Sequence, residues 1–389
     1  MKKIHFLWTA LLFLCGIIVT GCKVSDEAPS LSRPGVPDAE AGYERLFISW
    51  AAVTGADSYA VYYNTSNDSS SALKYNDTIQ TPDITITGLE NGVAYYVWVR
   101  AVNSQVASSL SEACVGTPSR TYRDLSYGSS SAQVLDIVFP ENLEDVTPLN
   151  AILFIHGGGW QSGDKDVYEE AIMDNADNYH VITAAMNYRM FGEGADCADM
   201  LEDIDEALSL IKTKALDQGA QIDKIVLMGA SAGAHLSLLY TYKNHSVSPI
   251  PIAFCVGQST PADFTDPEVF TGSWRDYMLS CASNLTGEEI TVSNYTGKTA
   301  SLLSVSPVNY AASSVPPTLL AHGTNDDLVP VSNANRLKAA LDAAGAVSDL
   351  FIYPNSGHEL DNPDDSGVNT AFFTKMLEYI ISYMGFYAG

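Results

Sequence analysis

Positive charge is scarce in this chain of 389 residues: 20 Lys and Arg stand against 46 Asp and Glu, a formal net charge of −26. A surface of that sign repels phosphate backbones and argues against nucleic acid as a partner. Charge of either sign is sparse, at 17% of residues, while 46% are hydrophobic. That balance excludes a disordered chain and is enough for a sizeable core. The six cysteines show no spacing of the kind that holds zinc. The apolar run from Ile4 to Val19 is shorter than the about 20 residues a membrane-spanning helix needs.

What is present starts with Met1, Lys2 and Lys3, then that apolar run, then Thr20, Gly21 and Cys22. A basic start, a short apolar middle and a small-residue exit have the form of a secretory signal, which takes no part in the fold. The exit Val19-Thr20-Gly21-Cys22 resembles the bacterial lipobox. The resemblance implies a signal over 1–21 and a mature chain that opens on an acylated Cys22, each buried methylene contributing about 0.8 kcal/mol to membrane attachment. A linker over 22–33, with Asp26 and Glu27, would follow. The expected location is the bacterial cell envelope, as an outer-membrane lipoprotein facing the periplasm or the cell surface. In that oxidising setting Cys197 and Cys281 are a candidate disulfide, and Cys255, inside the apolar stretch Ile252 to Val256, reads as a buried thiol.

Two patterns follow one another. Over 34–118, short aromatic-rich segments alternate in polarity between turn residues: Leu46 to Trp50, Tyr59 to Tyr63, Ile84 to Thr87 and Tyr95 to Val102. Such spacing predicts a β-sandwich. These residues resemble a fibronectin type III domain, with Trp50 as the core tryptophan and Tyr95 as the corner tyrosine. Its expected role is a spacer or a glycan-binding module. Over 119–389, apolar runs alternate with helical patterns. The runs are Ala151 to Ile155, Val181 to Ala185, Lys224 to Met228, Pro251 to Val256, Thr318 to Ala321 and Asp349 to Tyr353. Met200, Ile204, Ala207, Leu208 and Ile211 share one helical face. The alternation predicts a mostly parallel sheet with helices on both faces, an α/β fold whose chemistry gathers at the carboxyl ends of the strands.

Three such ends carry reactive groups. Gly229-Ala230-Ser231-Ala232-Gly233 follows the run ending at Met228, so Ser231 is either the cap of the next helix or an exposed nucleophile on a strained turn. A serine needs a base. Of the seven histidines, His358 stands on the loop after a late strand, in Asn355-Ser356-Gly357-His358-Glu359, while His235 points down a helix and His322 closes a strand as a local hydrogen-bonding residue. The base needs an acid to orient it. In His322-Gly323-Thr324-Asn325-Asp326-Asp327-Leu328-Val329-Pro330 the candidates are Asp326 and its neighbour Asp327. Finally, His156-Gly157-Gly158-Gly159-Trp160 ends a strand with three glycines, which fits backbone that must approach a ligand closely. No Gly-Lys-Ser/Thr follows it, so a phosphate loop is excluded.

The order Ser231, Asp326, His358 together with His-Gly-Gly-Gly resembles the esterase and lipase branch of the α/β-hydrolases, close to carbohydrate and feruloyl esterases, over about 122–384. Further matching pieces are Asn187-Tyr188-Arg189 and Ser306-Pro307. The resemblance implies an α/β-hydrolase fold with Ser231, Asp326 and His358 as triad. It also implies Gly158, Gly159 and Ala232 as oxyanion donors, Trp160 in the substrate pocket, and chemistry that requires no metal or organic cofactor. The substrate implied is a carboxylic ester, an acetyl or feruloyl group on plant polysaccharide. The segment Ala262 to Val305, with Phe264, Phe270, Trp274 and Tyr277, is the expected cap. A serine peptidase of the same fold and a non-enzymatic surface binding protein are the alternatives. The stretch Phe191 to Ala198 departs from the family in lacking a proline before the next helix.

Overall fold

The structure is a computed structural model that describes residues 30–140 and 149–385. The signal, Cys22 and most of the linker lie outside the described residues. The chain divides into two compact units.

The N-terminal strands are β1 (Asp38–Gly42), β2 (Arg45–Ser49), β3 (Ser58–Asn64), β4 (Leu73–Ile79), β5 (Asp83–Thr87), β6 (Tyr95–Val102) and β7 (Cys114–Gly116). They form two sheets, ordered β1-β2-β5 and β4-β3-β6-β7. Alternation decides which residues turn inward. In β6, Val97, Val99 and Ala101 are fully buried, while Tyr96, Arg100 and Val102 are half-buried. Trp50 packs edge-on to Tyr59 at 5.2 Å between ring centroids, and the Val53 amide donates to the Tyr59 hydroxyl at 2.8 Å.

The chain from Thr117 onward carries an eight-stranded sheet. Its strands are β8 (Thr121–Ser126), β9 (Val134–Val138), β10 (Leu149–Ile155), β11 (Ile182–Met186), β12 (Ile222–Ala230), β13 (Ile252–Gln258), β14 (Thr318–Gly323) and β15 (Ser348–Tyr353). Their order is β15-β14-β13-β12-β10-β11-β9-β8, parallel from β15 to β11 and antiparallel at β9 and β8. The helices are α1 (Glu169–Tyr179), α2 (Cys197–Asp217), α3 (Ala232–Asn244), α4 (Arg275–Thr286), α5 (Thr299–Ser304), α6 (Ser332–Ala344) and α7 (Ser366–Met384). Among the described residues no helix is long and apolar enough to cross a membrane.

Both faces of the sheet are covered, which is why its strands read as unbroken apolar runs. In β10, Ala151, Leu153 and Ile155 pack with α2 and α3, and Ile152 and Phe154 with α1 and α7. α6 covers β13 and β14 through Leu337 and Leu341 beside Cys255 and Leu320. The predicted stripe of α2, Met200, Ile204, Ala207, Leu208 and Ile211, is wholly buried. β10 pairs with both β11 and β12, so the chain leaves it toward opposite edges, and the strand order reverses at the carboxyl ends of β10 and β12, where such sheets carry their sites. Where the proline is lacking, Gly194 takes φ 79° and Asp196 caps α2 through the amides of Ala198 and Asp199. The candidate disulfide is not formed: Cys197 and Cys281 are free and buried, and burial pushes both thiols up to about 12.

Candidate active site

β12 runs directly into α3, and Ser231 is the one residue between them, at φ 54° and ψ −120°. A residue with a Cβ is strained there. Close packing holds the strain: a Cβ on Gly229 would lie 2.5 Å from Ile155 O, and one on Gly233 1.9 Å from the same atom. Glycine on each side thus lets the turn press against the end of β10. The Ser231 amide donates to Gln258 O at 2.9 Å, and its hydroxyl makes no capping bond to α3. A capping serine would be engaged with the second or third helical amide, so the choice left open by the sequence falls on the uncommitted hydroxyl.

The glycine loop follows β10. Gly158, Gly159 and Trp160 have φ of 110°, 62° and 61°, three successive residues in the left-handed region. A Cβ on Gly158 would meet Ser162 O at 2.0 Å, and one on Gly159 would meet the Tyr277 hydroxyl at 1.7 Å. A Cβ on Gly157 would lie 3.4 Å from Ser231 Cβ, so the loop abuts the serine turn. The amides of Gly158, Gly159 and Ala232 have no protein acceptor among the described residues. Unpaired amides beside an uncommitted hydroxyl form a place for an anionic oxygen.

Trp160 departs from expectation. Its side chain is 1% exposed rather than open to a pocket, because the left-handed backbone turns the ring inward. The indole N–H donates to His235 Nδ1 at 3.2 Å, and His235 Nε2 donates to Val305 O at 2.7 Å. The ring therefore braces the loop from beneath. The cap segment divides similarly: Phe264 and Phe270 are core, Trp274 is 40% exposed, and Tyr277 lies edge-on to Trp274 at 5.7 Å with its hydroxyl above Gly159.

Asp326 and His358 come together from the loops after β14 and β15. His358 Nδ1 donates to Asp326 Oδ2 at 2.8 Å, and Asp326 Oδ1 accepts from the amides of Leu328 and Val329 at 3.0 and 2.8 Å. Asp327 is exposed, so burial selects Asp326. Burial alone would raise the Asp326 carboxyl, but hydrogen bonds from His322 and His358, the charge of His358 and the Val329 amide hold it well below the usual carboxylate range. The His358 loop is tied on both sides. Asp365 accepts from the Asn355 amide and side chain and from the Ser356 hydroxyl, and the Asn325 amide donates to Ser356 O at 3.0 Å. Ser259 Oγ donates to His358 O at 2.6 Å. Ser259 follows the residue whose carbonyl receives the Ser231 amide, which places the serine turn and the histidine loop on neighbouring backbone.

Ser231 Oγ and His358 Nε2 make no hydrogen bond, to each other or to other groups, among the described residues. Such contacts are often long without substrate and tighten when it binds. Two residues escaped the sequence reading, Ser259 and Asp365, which carry no motif; His322, read as a local hydrogen-bonding residue, bonds Val329 O and also lies beside Asp326. His322 is fully buried, and its Nδ1 has no partner among the described residues, a condition that costs about 1–3 kcal/mol.

Residues 135–341, more than half of the chain, match the family model described as BD-FAE. The chain belongs to the BD-FAE family of α/β-hydrolase esterases. Residues 34–117 match the fibronectin type III domain. The chain is also similar to the isoprenylcysteine alpha-carbonyl methylesterase ICME of Arabidopsis thaliana, 28% identical over 248 residues, 61% of this chain and 56% of that protein. It is 31% identical over 219 residues to the probable carboxylic ester hydrolase LipM of Mycobacterium tuberculosis, covering 54% and 49% of the two chains. The chain thus spans about half the length of the relatives it matches. Among solved structures, a truncated carbohydrate esterase from gut microbiota aligns with TM-score 0.52 and 20% identity, covering 66% of this chain and 96% of that one. Esterase B from Lactobacillus rhamnosis aligns with TM-score 0.55 and 18% identity, covering 67% and 85%. These establish the α/β-hydrolase fold.

Proposed function

We propose that this BD-FAE chain is a serine carboxylic ester hydrolase with Ser231, Asp326 and His358 as its triad. The observation that carries the reading is the Asp326–His358 pair at 2.8 Å, on loops tied through Ser259 to the backbone that anchors the strained Ser231. Ser231 Oγ attacks the ester carbonyl carbon while its proton passes to His358 Nε2. The carbonyl oxygen, now negative, takes hydrogen bonds from the amides of Gly158, Gly159 and Ala232. Collapse breaks the bond to the leaving alcohol, whose oxygen takes the proton from His358, and the acyl group stays on Ser231. Water then gives a proton to His358 and its oxygen to the acyl carbon, which frees the acid and restores the serine. Throughout, Asp326 stays ionised and holds the imidazole in one tautomer, as its well-buried, donor-rich surroundings favour.

In this reading the enzyme is exported, held in the cell envelope by acyl chains on Cys22, and acts on acetyl or feruloyl esters of plant polysaccharide. The lipobox-like exit and the relatives' esterase names support it. Ser231→Ala is expected to abolish hydrolysis of 4-nitrophenyl acetate, and labelling by a fluorophosphonate, with an unchanged melting temperature. Retained hydrolysis would refute the nucleophile. Rates on acetylated xylan, methyl ferulate, a long-chain triglyceride and an aminoacyl nitroanilide then sort the acyl group, and a preference for the anilide would favour peptidase action instead.

A further inference from the structure

We propose that His322 is a positioning residue for this triad, holding the Asp326 carboxylate so that His358 stays aimed at the nucleophile. The inference rests on the reading of Asp326 and His358 just given. His322 is the penultimate residue of β14, four residues before Asp326, and its side chain is fully buried. Its Nε2 lies 2.8 Å from Val329 O and 3.2 Å from Asp326 Oδ2. Both neighbours are acceptors only, so Nε2 carries the proton, which is donated to Val329 O with the carboxylate oxygen beside it. Nδ1 is buried with no hydrogen-bond partner among the described residues.

A buried imidazole with one nitrogen unsatisfied is a poor choice for packing alone, since an apolar side chain would fill the same space without the polar penalty. What it supplies is a donor that the other partners of Asp326 do not. The amides of Leu328 and Val329 hold Oδ1, and His358 meets Oδ2. His322 Nε2 lies 3.2 Å from Oδ2 as well, so polar hydrogens flank the carboxylate from three directions: its own turn, β14 and the loop after β15. Held in this way, the carboxylate cannot rotate away when His358 gains its proton. Misplacing an aligned group is costly to the rate even where it never touches substrate.

The test uses the full chain. His322→Leu is expected to lower kcat on 4-nitrophenyl acetate by about tenfold or more, the scale of one hydrogen bond to a charged group, with KM little changed. It should also shift the low-field proton resonance of His358 Nδ1–H. His322→Gln, whose amide can donate from near the place of Nε2, should recover most of the rate and the resonance. An unchanged kcat in the leucine variant overturns the proposal, and so does an equal loss in both variants, which would mark a packing role. If the leucine variant does not fold, the nitrogen-15 shifts of His322 in the unmodified protein decide: a proton on Nδ1 with Nε2 bare overturns it. The triad itself is judged separately by Ser231→Ala. A dead serine variant beside a fully active His322→Leu removes the present proposal and leaves the triad standing.

Discussion

Gly159→Ala sets the glycine loop against the cap. A Cβ at this position would lie 1.7 Å from the Tyr277 hydroxyl, 3.0 Å from its Cζ and 3.7 Å from its Cε1, on backbone at φ 62°. Left-handed backbone costs an alanine about 1–2 kcal/mol. The contact is the graver matter, because 1.7 Å lies far inside any van der Waals separation and either the phenol or the loop must yield. Tyr277 is half-buried and packs edge-on against Trp274; where that contact holds the ring, the loop gives way and carries the Gly159 amide out of place. Loss of one oxyanion donor slows acyl transfer by about 100- to 1,000-fold. The expected result is a fall in kcat of about a hundredfold or more, with a small change in KM. Second-site changes grade the effect. Tyr277→Phe removes the atom at 1.7 Å but leaves a carbon at 3.0 Å, so recovery should be partial. Tyr277→Ala removes the ring, and only the backbone cost should remain. In Gly158→Ala the new Cβ meets a backbone oxygen, Ser162 O, at 2.0 Å, and no truncation of Tyr277 should help. Steady-state hydrolysis of 4-nitrophenyl acetate with burst titration, beside thermal melts, reads all of these. Near-normal kcat in Gly159→Ala, or rescue of Gly158→Ala by Tyr277→Ala, would refute the reasoning.

His235 bears on pH stability. Burial lowers its imidazole to about 4, against a weaker opposing effect of the bond to Val305 O, whereas an unfolded histidine titrates near about 6.5. Between those values the unfolded chain binds a proton that the folded chain refuses, so this contribution is full above about pH 6.5 and is lost as pH falls toward 4. His235→Gln should flatten the melting temperature across that window, and an unaltered slope would contradict the assignment. Asp365→Ala leaves the Asn355 and Ser356 donors unpaired at a cost of about 1–3 kcal/mol and loosens the loop that carries His358. A several-fold lower kcat is expected in kinetics run well below the melting temperature, and an unchanged kcat would count against the brace.

Much of the fold was legible because buried strands and one-sided helices leave a period in the chain. The six apolar runs became β10 to β15 with ends displaced by at most two residues, and the α2 stripe is wholly buried. β4 escaped notice because most of its residues are exposed, Leu73 at 62% among them, so no apolar alternation marks it. β1 and β7 are short and half-exposed for the same reason. Ser231 and His358 were legible from glycine next to a reactive side chain at the end of an apolar run.

Residue type alone determined where the backbone could bend and which groups stood at strand ends, since glycine freedom and hydrophobic period are properties of a few neighbouring positions. Tertiary structure decided which aspartate is buried beside His358, that Trp160 turns inward to His235, that Cys197 and Cys281 remain free thiols, and that Ser259 ties the His358 loop. Those outcomes rest on partners distant along the chain, 32 positions for His358 and Asp326, 75 for Trp160 and His235, and 99 for Ser259 and His358. Only packing brings such groups to hydrogen-bond distance, and that distance is what gives each of them its chemistry.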